Sequence, residues 1–299
     1  MAGLLDPGTV RGQSLRELLD SGEMVLAPGC CDALGARLVE ETGFPAVYMT
    51  GFGSAASRLG RPDVGLMTLP EMVDNARRIA QAVNIPVIAD ADTGYGNPIN
   101  VIRTVHEYEA AGVAAIHIED QLMPKKCGHI EGKQLISAGE MASKVAAAIA
   151  ARRSSDFLII ARTDARAVEG LGGALKRARD YRQAGADLLF VEAPHTTDEI
   201  ESIAATFPDV PLLFNYVEGG KTPPVTHQFL RDLGFSVVIF PISTLLVATA
   251  AIRSVLTEIK ANGSPIDLLS SMPRFEEFLD FIGISEIREL EQRFADNSS

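Results

Sequence analysis

Eight short apolar runs, each followed by a turn and a stretch of helical length, constrain this chain more than any other feature. The runs occupy residues 24–28, 46–51, 86–92, 114–120, 157–164, 188–193, 211–217 and 236–241. Continuous apolar strands alternating with helices imply a parallel sheet buried on both faces. Eight such units in 299 residues fit an α/β fold of the closed (β/α)8 barrel type. An open doubly wound sheet is the alternative, but the first turn carries no Gly-rich dinucleotide fingerprint. Between the runs, 71–83 places Met72, Ala76, Ile79 and Val83 on one helical face, and 174–184 ends at Gly185 as a helix should. The same closure on Gly precedes the strands at Ala111-Gly112 and Leu233-Gly234.

After the eighth run the pattern changes. Residues 243–261 read as one long helix, Gly263-Ser264-Pro265 breaks it, and 275–281 and 286–294 read as further helices. A barrel needs only its eighth helix. We therefore read 1–299 as one barrel domain with 263–299 as a C-terminal helical extension, which packs on a neighbouring subunit or covers the barrel's end.

A net charge of -12 and a pI near 4.9 argue against nucleic-acid binding, which rests on Lys and Arg neutralising phosphates. No charged-then-apolar signal pattern is seen, and no apolar run reaches the ~18 residues of a membrane span. The three cysteines, Cys30, Cys31 and Cys127, do not make a disulfide framework or a zinc cage. A soluble cytoplasmic protein is expected, with Cys30 and Cys31 as packing residues.

In a barrel the active site lies where the strands end and the βα loops converge. Here those ends carry Tyr48 and Thr50 with Gly51, Asp90 and Asp92, Glu119 and Asp120, Arg162 and Asp164, Glu192, and Asn215 with Glu218. Single polar residues at such places are ordinary helix caps. Six strands ending in this way are stronger evidence. Asp90 and Asp92 are two apart, so within a strand they would share a face. With Glu119 next door, these carboxylates would repel unless a cation lay between them, and few oxygen ligands suit Mg²⁺ or Mn²⁺. Capping and ion pairing with Arg103 or Arg162 is the alternative reading. Arg162 suits a substrate carboxylate through its fork of donors, unless it is paired with Asp164 or Glu192, while Asn215 and Thr222 could serve a second carboxylate. His117 reads as a packed core histidine, and His106, His195 and His227 as surface or packing residues.

The segment Lys125-Lys126-Cys127-Gly128-His129 sets a thiol beside two ammonium groups and an imidazole. On charge alone this favours a thiolate. An exposed basic loop with an incidental cysteine is the alternative.

These segments, together with Tyr48-Met49-Thr50-Gly51, Ala89-Asp90-Ala91-Asp92-Thr93-Gly94-Tyr95-Gly96, Ile118-Glu119-Asp120-Gln121, Ala161-Arg162-Thr163-Asp164-Ala165 and Asn215 through Pro223, resemble the isocitrate lyase and phosphoenolpyruvate mutase superfamily. The resemblance implies a barrel whose last helix is exchanged between subunits, a homotetramer built as a dimer of dimers, and Mg²⁺ bound to a 2-oxo or 2-hydroxy acid. It implies that Asp90, Asp92, Glu119 and Asp63 form the metal shell, largely through water. Thr50, Gly51 and Arg162 then bind the pyruvate-like half, and Gly128, His129, Asn215 and Thr222 the departing carboxylate, with Glu192 a polar member of the pocket.

The Cys loop resembles the carbon–carbon lyase branch. Methylisocitrate lyases place an Arg where this chain has Leu246, and oxaloacetate acetylhydrolases tend to place a Ser where it has Pro241. The remaining resemblance is to 2,3-dimethylmalate lyases. The expected reaction is Mg²⁺-dependent cleavage of a substituted 2-hydroxy dicarboxylate to pyruvate, with Lys125, His129 and Asn215 stabilising charge and Cys127 as acid. Tyr48 is the candidate base, and Glu119 acting through water the second candidate. The alternatives are methylisocitrate cleavage, oxaloacetate hydrolysis or decarboxylation, phosphonomutase chemistry, and a barrel without catalytic activity.

Overall fold

The structure, a computed structural model, describes residues 2–5 and 13–295. Eight parallel strands, β1 (Val25–Cys30), β2 (Val47–Met49), β3 (Val87–Asp90), β4 (Ala115–Glu119), β5 (Leu158–Thr163), β6 (Leu188–Val191), β7 (Leu212–Asn215) and β8 (Val237–Phe240), pair in sequence order, and β8 closes on β1. The expected (β/α)8 barrel is therefore the observed fold; seven strands fall within their apolar runs, and β1 extends two residues past 24–28, to Cys30. A short helix α1 (Leu15–Asp20) precedes β1. The strands are followed in turn by α2 (Ala33–Glu41), the pair α3 (Gly51–Leu59) and α4 (Leu69–Ala82), α5 (Pro98–Ala111), α6 (Ala138–Ala151), α7 (Arg166–Gln183), α8 (Thr197–Thr206), α9 (His227–Asp232) and α10 (Ser243–Asn262). No helix among the described residues is long and apolar enough to cross a membrane.

The helices begin where the sequence offers caps. Asn97 accepts the N–H groups of Ile99 and Asn100 ahead of α5, with Pro98 in its first turn, and Ser137 accepts that of Glu140 ahead of α6. Losing such a cap costs about 1 kcal/mol.

Strand alternation then sorts the side chains into two layers. Val47, Ala89, Ile116, Ile159 and Leu189 pack against the helices, while Tyr48, Ile88, Ile160, Phe190 and Leu213 fill the barrel interior. Each fully buried aliphatic or aromatic side chain contributes about 1.5–3 kcal/mol. Truncating Ile116, which is wholly buried, to Ala would cost about 2–5 kcal/mol. The alternation also directs function, because Asp90, Glu119, Arg162, Glu192 and Asn215 stand two residues beyond interior positions and so point into the barrel mouth.

Asp92 departs from the expected geometry. Strand β3 stops at Asp90, and Asp92 sits in a turn with φ 49°, its N–H donating to Oδ1 of Asp90 at 2.9 Å. The two carboxylates are thus joined by a turn rather than stacked on one strand face. Helix α7 starts earlier than the 174–184 pattern and is kinked at Gly170.

Beyond α10 come a 3-10 helix (Ile266–Ser271), which the sequence pattern did not mark, then α11 (Phe275–Phe281) and α12 (Ile284–Arg293). Within one chain none of the α10 residues is buried, and Val247, Ile252 and Leu256 are exposed.

Candidate active site

A cavity of about 230 Å³ opens where the strands end. Strands supply Tyr48, Asp90, Arg162 and Asn215 to its wall, the β4–α6 loop supplies Lys125 and the segment Cys127 to Ile130, and Pro241 and Ile242 close it from β8. Residues far apart in sequence therefore meet at one place.

One side is acidic. Asp63, Asp90, Asp92 and Glu119 are all buried. Lys125, itself 2% exposed, lies between two of them, with Nζ 2.6 Å from Oδ2 of Asp63 and 2.5 Å from Oδ1 of Asp92. Burial, with Asp90 and Asp63 nearby, pushes Asp92 up to about 6 despite that ammonium. Glu119 is raised well above the usual carboxylate range, chiefly by burial, and its Oε1 has no hydrogen-bond partner. Burial alone would raise Asp90 too, but His117, Lys125 and Arg162 outweigh it and hold Asp90 below its ordinary value. Gly51 packs directly on this group, since a Cβ there would collide with the Asp90 carboxylate.

Arg162 forms the centre of the opposite group. Its Nε lies 3.0 Å from Oδ2 of Asp164 and 3.3 Å from Oε2 of Glu119, and its guanidinium lies over the Phe190 ring at 5.0 Å. Glu192 accepts from Asn215 Nδ2 at 3.1 Å and faces Nε2 of His129 at 3.3 Å. A Cβ at Gly128 would strike the Glu192 carboxylate, so the Cys loop approaches that closely only with glycine there. Nδ1 of His129 accepts the Lys221 N–H at 3.0 Å, which ties the loop to the β7–α9 connection.

The thiol of Cys127 reverses the expectation from its neighbours. Burial pushes it up to about 11, so it is a protonated thiol. Neither flanking ammonium faces it: Lys125 is held by carboxylates, and Lys126 donates to the carbonyls of Glu131 and Gly132.

The family model for phosphoenolpyruvate phosphomutase matches residues 15–260. The chain belongs to that family. It is 48% identical to the 2,3-dimethylmalate lyase of Eubacterium barkeri over 281 residues, covering 94% of this chain and 97% of that one. It is 47% identical to the 2-methylisocitrate lyase of Aeropyrum pernix, covering 91% and 87%. Among solved structures it is similar to oxaloacetate acetylhydrolase in complex with 3,3-difluorooxalacetate, with TM-score 0.90, 38% identity and 96% and 97% covered. It is also similar to phosphonopyruvate hydrolase in complex with oxalate and Mg²⁺, with TM-score 0.86, 33% identity and 98% and 99% covered. The chain is accordingly an enzyme of the isocitrate lyase and phosphoenolpyruvate mutase superfamily.

For a member of this family the acidic group is the place to seek a cation. Among the described residues no three His, Cys, Asp or Glu side chains converge to coordinate one ion directly. Four buried carboxylates stand against the Lys125 ammonium and the Arg162 guanidinium, with Glu119 Oε1 unpartnered. Such a donor set fits a hydrated Mg²⁺ reached largely through water rather than a dry cage.

Some expected residues lie off the wall. Asp92, Glu119 and Gly51 stand behind it. Thr222 is 8% exposed with its hydroxyl unpartnered, and it lines a side cavity with Tyr216 and Pro223. Leu246, in the first turn of α10, is 46% exposed and contributes nothing to the cavity of its own chain.

Other residues matter more than their sequence setting suggested. His117, read as a packed core histidine, is two residues from Glu119 on one strand and so shares its inward face. It is fully buried, stacked on Tyr48 and bonded to its hydroxyl at 2.8 Å. The alternation itself would have revealed this. Asp120, only a strand-end residue in the sequence, accepts from Thr163, Tyr181 and the Asp164 N–H, and anchors the end of β5.

Proposed function

We propose that this enzyme is a carbon–carbon lyase that cleaves a substituted 2-hydroxy dicarboxylate, 2,3-dimethylmalate or a close analogue, to pyruvate and a carboxylate. The observation that carries the reading is Cys127, a half-buried thiol held protonated on the same cavity wall as Tyr48, Arg162 and Asn215. A neutral acid in that position suits protonation of carbon better than nucleophilic attack.

Arg162 takes one substrate carboxylate, with Thr50 and Gly51 framing that half. When bound among Asp90, Asp92, Glu119 and Asp63, Mg²⁺ (or Mn²⁺ in its place) supplies Lewis-acid stabilisation of negative charge on the pyruvate-forming oxygens. Burial and the Asp90 charge hold Tyr48 well above its ordinary value, so the phenol must first lose its own proton, a loss that positive charge among these carboxylates would favour. As phenolate, Tyr48 takes the proton of the 2-hydroxyl, with Glu119 through a water as the second candidate. The bond between C2 and C3 breaks and its electron pair passes into the second carboxylate. His129 and Asn215, with Glu192 and Gly128 beside them, hold that group, and Lys125 adds a positive field from between Asp63 and Asp92. Cys127 then gives its proton to C3. For 2,3-dimethylmalate the products are pyruvate and propionate.

The substrate is read as a dicarboxylate because the basic residues on the wall are Lys125, His129 and Arg162. All three already face buried carboxylates, which leaves a third substrate carboxylate without a partner. Oxaloacetate hydrolysis is a second reading, supported by the overlap with the acetylhydrolase structure; Pro241 on the wall, with no hydroxyl, counts against it.

The exposed apolar side chains of α10 support assembly as a homotetramer in which this helix is exchanged and 263–299 serve as an extension of the single barrel. The three free thiols suit a reducing cytoplasm. The deciding experiment is a panel of 2-hydroxy and 2-oxo dicarboxylates with Mg²⁺, assayed for pyruvate. Absence of pyruvate from every 2-hydroxy member would overturn the reading.

A further inference from the structure

The loop that carries Cys127 is fastened at points the chemistry does not use. Gln121 holds its near side, with Nε2 donating to the Lys126 carbonyl at 2.8 Å and Oε1 accepting the Lys126 N–H at 2.9 Å. Lys133 holds its far side. The Lys133 side chain is 1% exposed, and its ammonium donates to the Gly128 carbonyl and lies 3.3 Å from Oδ1 of Asp164.

Asp164 is already engaged on its other side. Arg162 reaches it twice, Nε to Oδ2 at 3.0 Å and Nη2 to Oδ1 at 3.2 Å, and the Asp164 N–H donates to Asp120 at 2.9 Å. One carboxylate therefore joins the guanidinium to the loop that bears the thiol. A buried ammonium is tolerated only where it is paired and hydrogen-bonded, so a displaced loop would leave Lys133 with an unmet donor. The bridge thus favours a single loop position.

We propose that Lys133 is a positioning residue: by joining the Gly128 carbonyl to the Asp164 carboxylate, it fixes the Cys127 thiol relative to Arg162. The catalytic consequence rests on the lyase reading above, while the effect on loop position does not.

The test compares wild type, K133M and K133R by turnover with Mg²⁺, by affinity for oxalate, and by the rate at which iodoacetamide alkylates Cys127, read by peptide mass. K133M is expected to lower kcat about 100-fold and speed alkylation at least about tenfold, with KM and oxalate affinity held within about threefold. K133R, which keeps the charge, is expected nearer to wild type than K133M on both altered readouts. Unchanged alkylation in K133M would overturn the proposal, as would a parallel loss of oxalate affinity, the reverse order of the two variants, or failure of K133M to fold, which would make Lys133 a residue of stability alone. Should wild type turn over no dicarboxylate, the lyase reading fails by itself, and the alkylation rates still decide the role of Lys133.

Discussion

The Tyr48 hydroxyl lies 2.8 Å from Nε2 of His117, while Nδ1 of the same ring is buried with no hydrogen-bond partner. An orphaned N–H costs more than an orphaned lone pair, so the tautomer protonated at Nε2 is favoured. That N–H donates to Tyr48, with Oδ1 of Asp90 only 3.6 Å away. The phenol oxygen accepts that bond, which steadies the phenolate form that Tyr48 needs as a base. Tyr48→Phe is expected to lower kcat by about 10²–10⁴ while oxalate affinity stays close to wild type. A kcat near wild type would move the proton transfer to Glu119, for which Glu119→Gln is the companion variant.

The same histidine sets a pH dependence of stability. Burial lowers His117 to about 4 from 6.5. As pH falls from 6.5 to 4 the unfolded chain takes up a proton there and the folded chain does not, so the imidazole's contribution, at most about 3 kcal/mol, is lost over that window. Asp92, raised to about 6, works in the opposite direction, since the folded chain protonates first. Comparing wild type with His117→Asn isolates the histidine. Between pH 7 and 4 the wild-type melting temperature is expected to fall more steeply, and parallel curves would contradict a neutral buried imidazole.

A thiol raised to about 11 has a measurable signature. At pH 8 only about one part in a thousand is thiolate, so alkylation of Cys127 is expected to be slow and to rise about tenfold per pH unit up to pH 10. Saturation by pH 8 would restore the thiolate that the flanking lysines suggested. Cys127→Ala is expected to keep its fold and oxalate affinity and to lose most turnover.

The acidic group predicts a response to metal. Added to chelator-treated protein, Mg²⁺ at about 100 times its Kd should stabilise the fold by about 2.7 kcal/mol, seen as a higher melting temperature. In Glu119→Gln the gain is expected to shrink. An identical shift in both proteins would remove Glu119 from the metal shell.

The barrel was legible in the sequence because strands buried on both faces are continuous apolar runs and leave an unmistakable alternation with helices. Which strand ends meet at one cavity was legible for the same reason. What escaped depended on where chains turn and where charges find partners. Asp92 was placed on a strand face, but β3 ends at Asp90 and the turn beyond takes a left-handed residue. Lys133 resembles any solvated loop lysine until Asp164, 31 positions away, comes within 3.3 Å. The thiolate expected at Cys127 counted adjacent charges in sequence, whereas burial and the actual partners of Lys125 and Lys126 decide its protonation.

The most direct measurement compares specificity constants for 2,3-dimethylmalate, 2-methylisocitrate, oxaloacetate and phosphonopyruvate with Mg²⁺ in the wild-type enzyme. Cleavage of 2,3-dimethylmalate to pyruvate is expected to lead, with 2-methylisocitrate lower by about 10²-fold or more, because its third carboxylate meets no free cation on the wall. Comparable constants for these two acids, or faster turnover of oxaloacetate or phosphonopyruvate, would contradict a dicarboxylate carbon–carbon lyase.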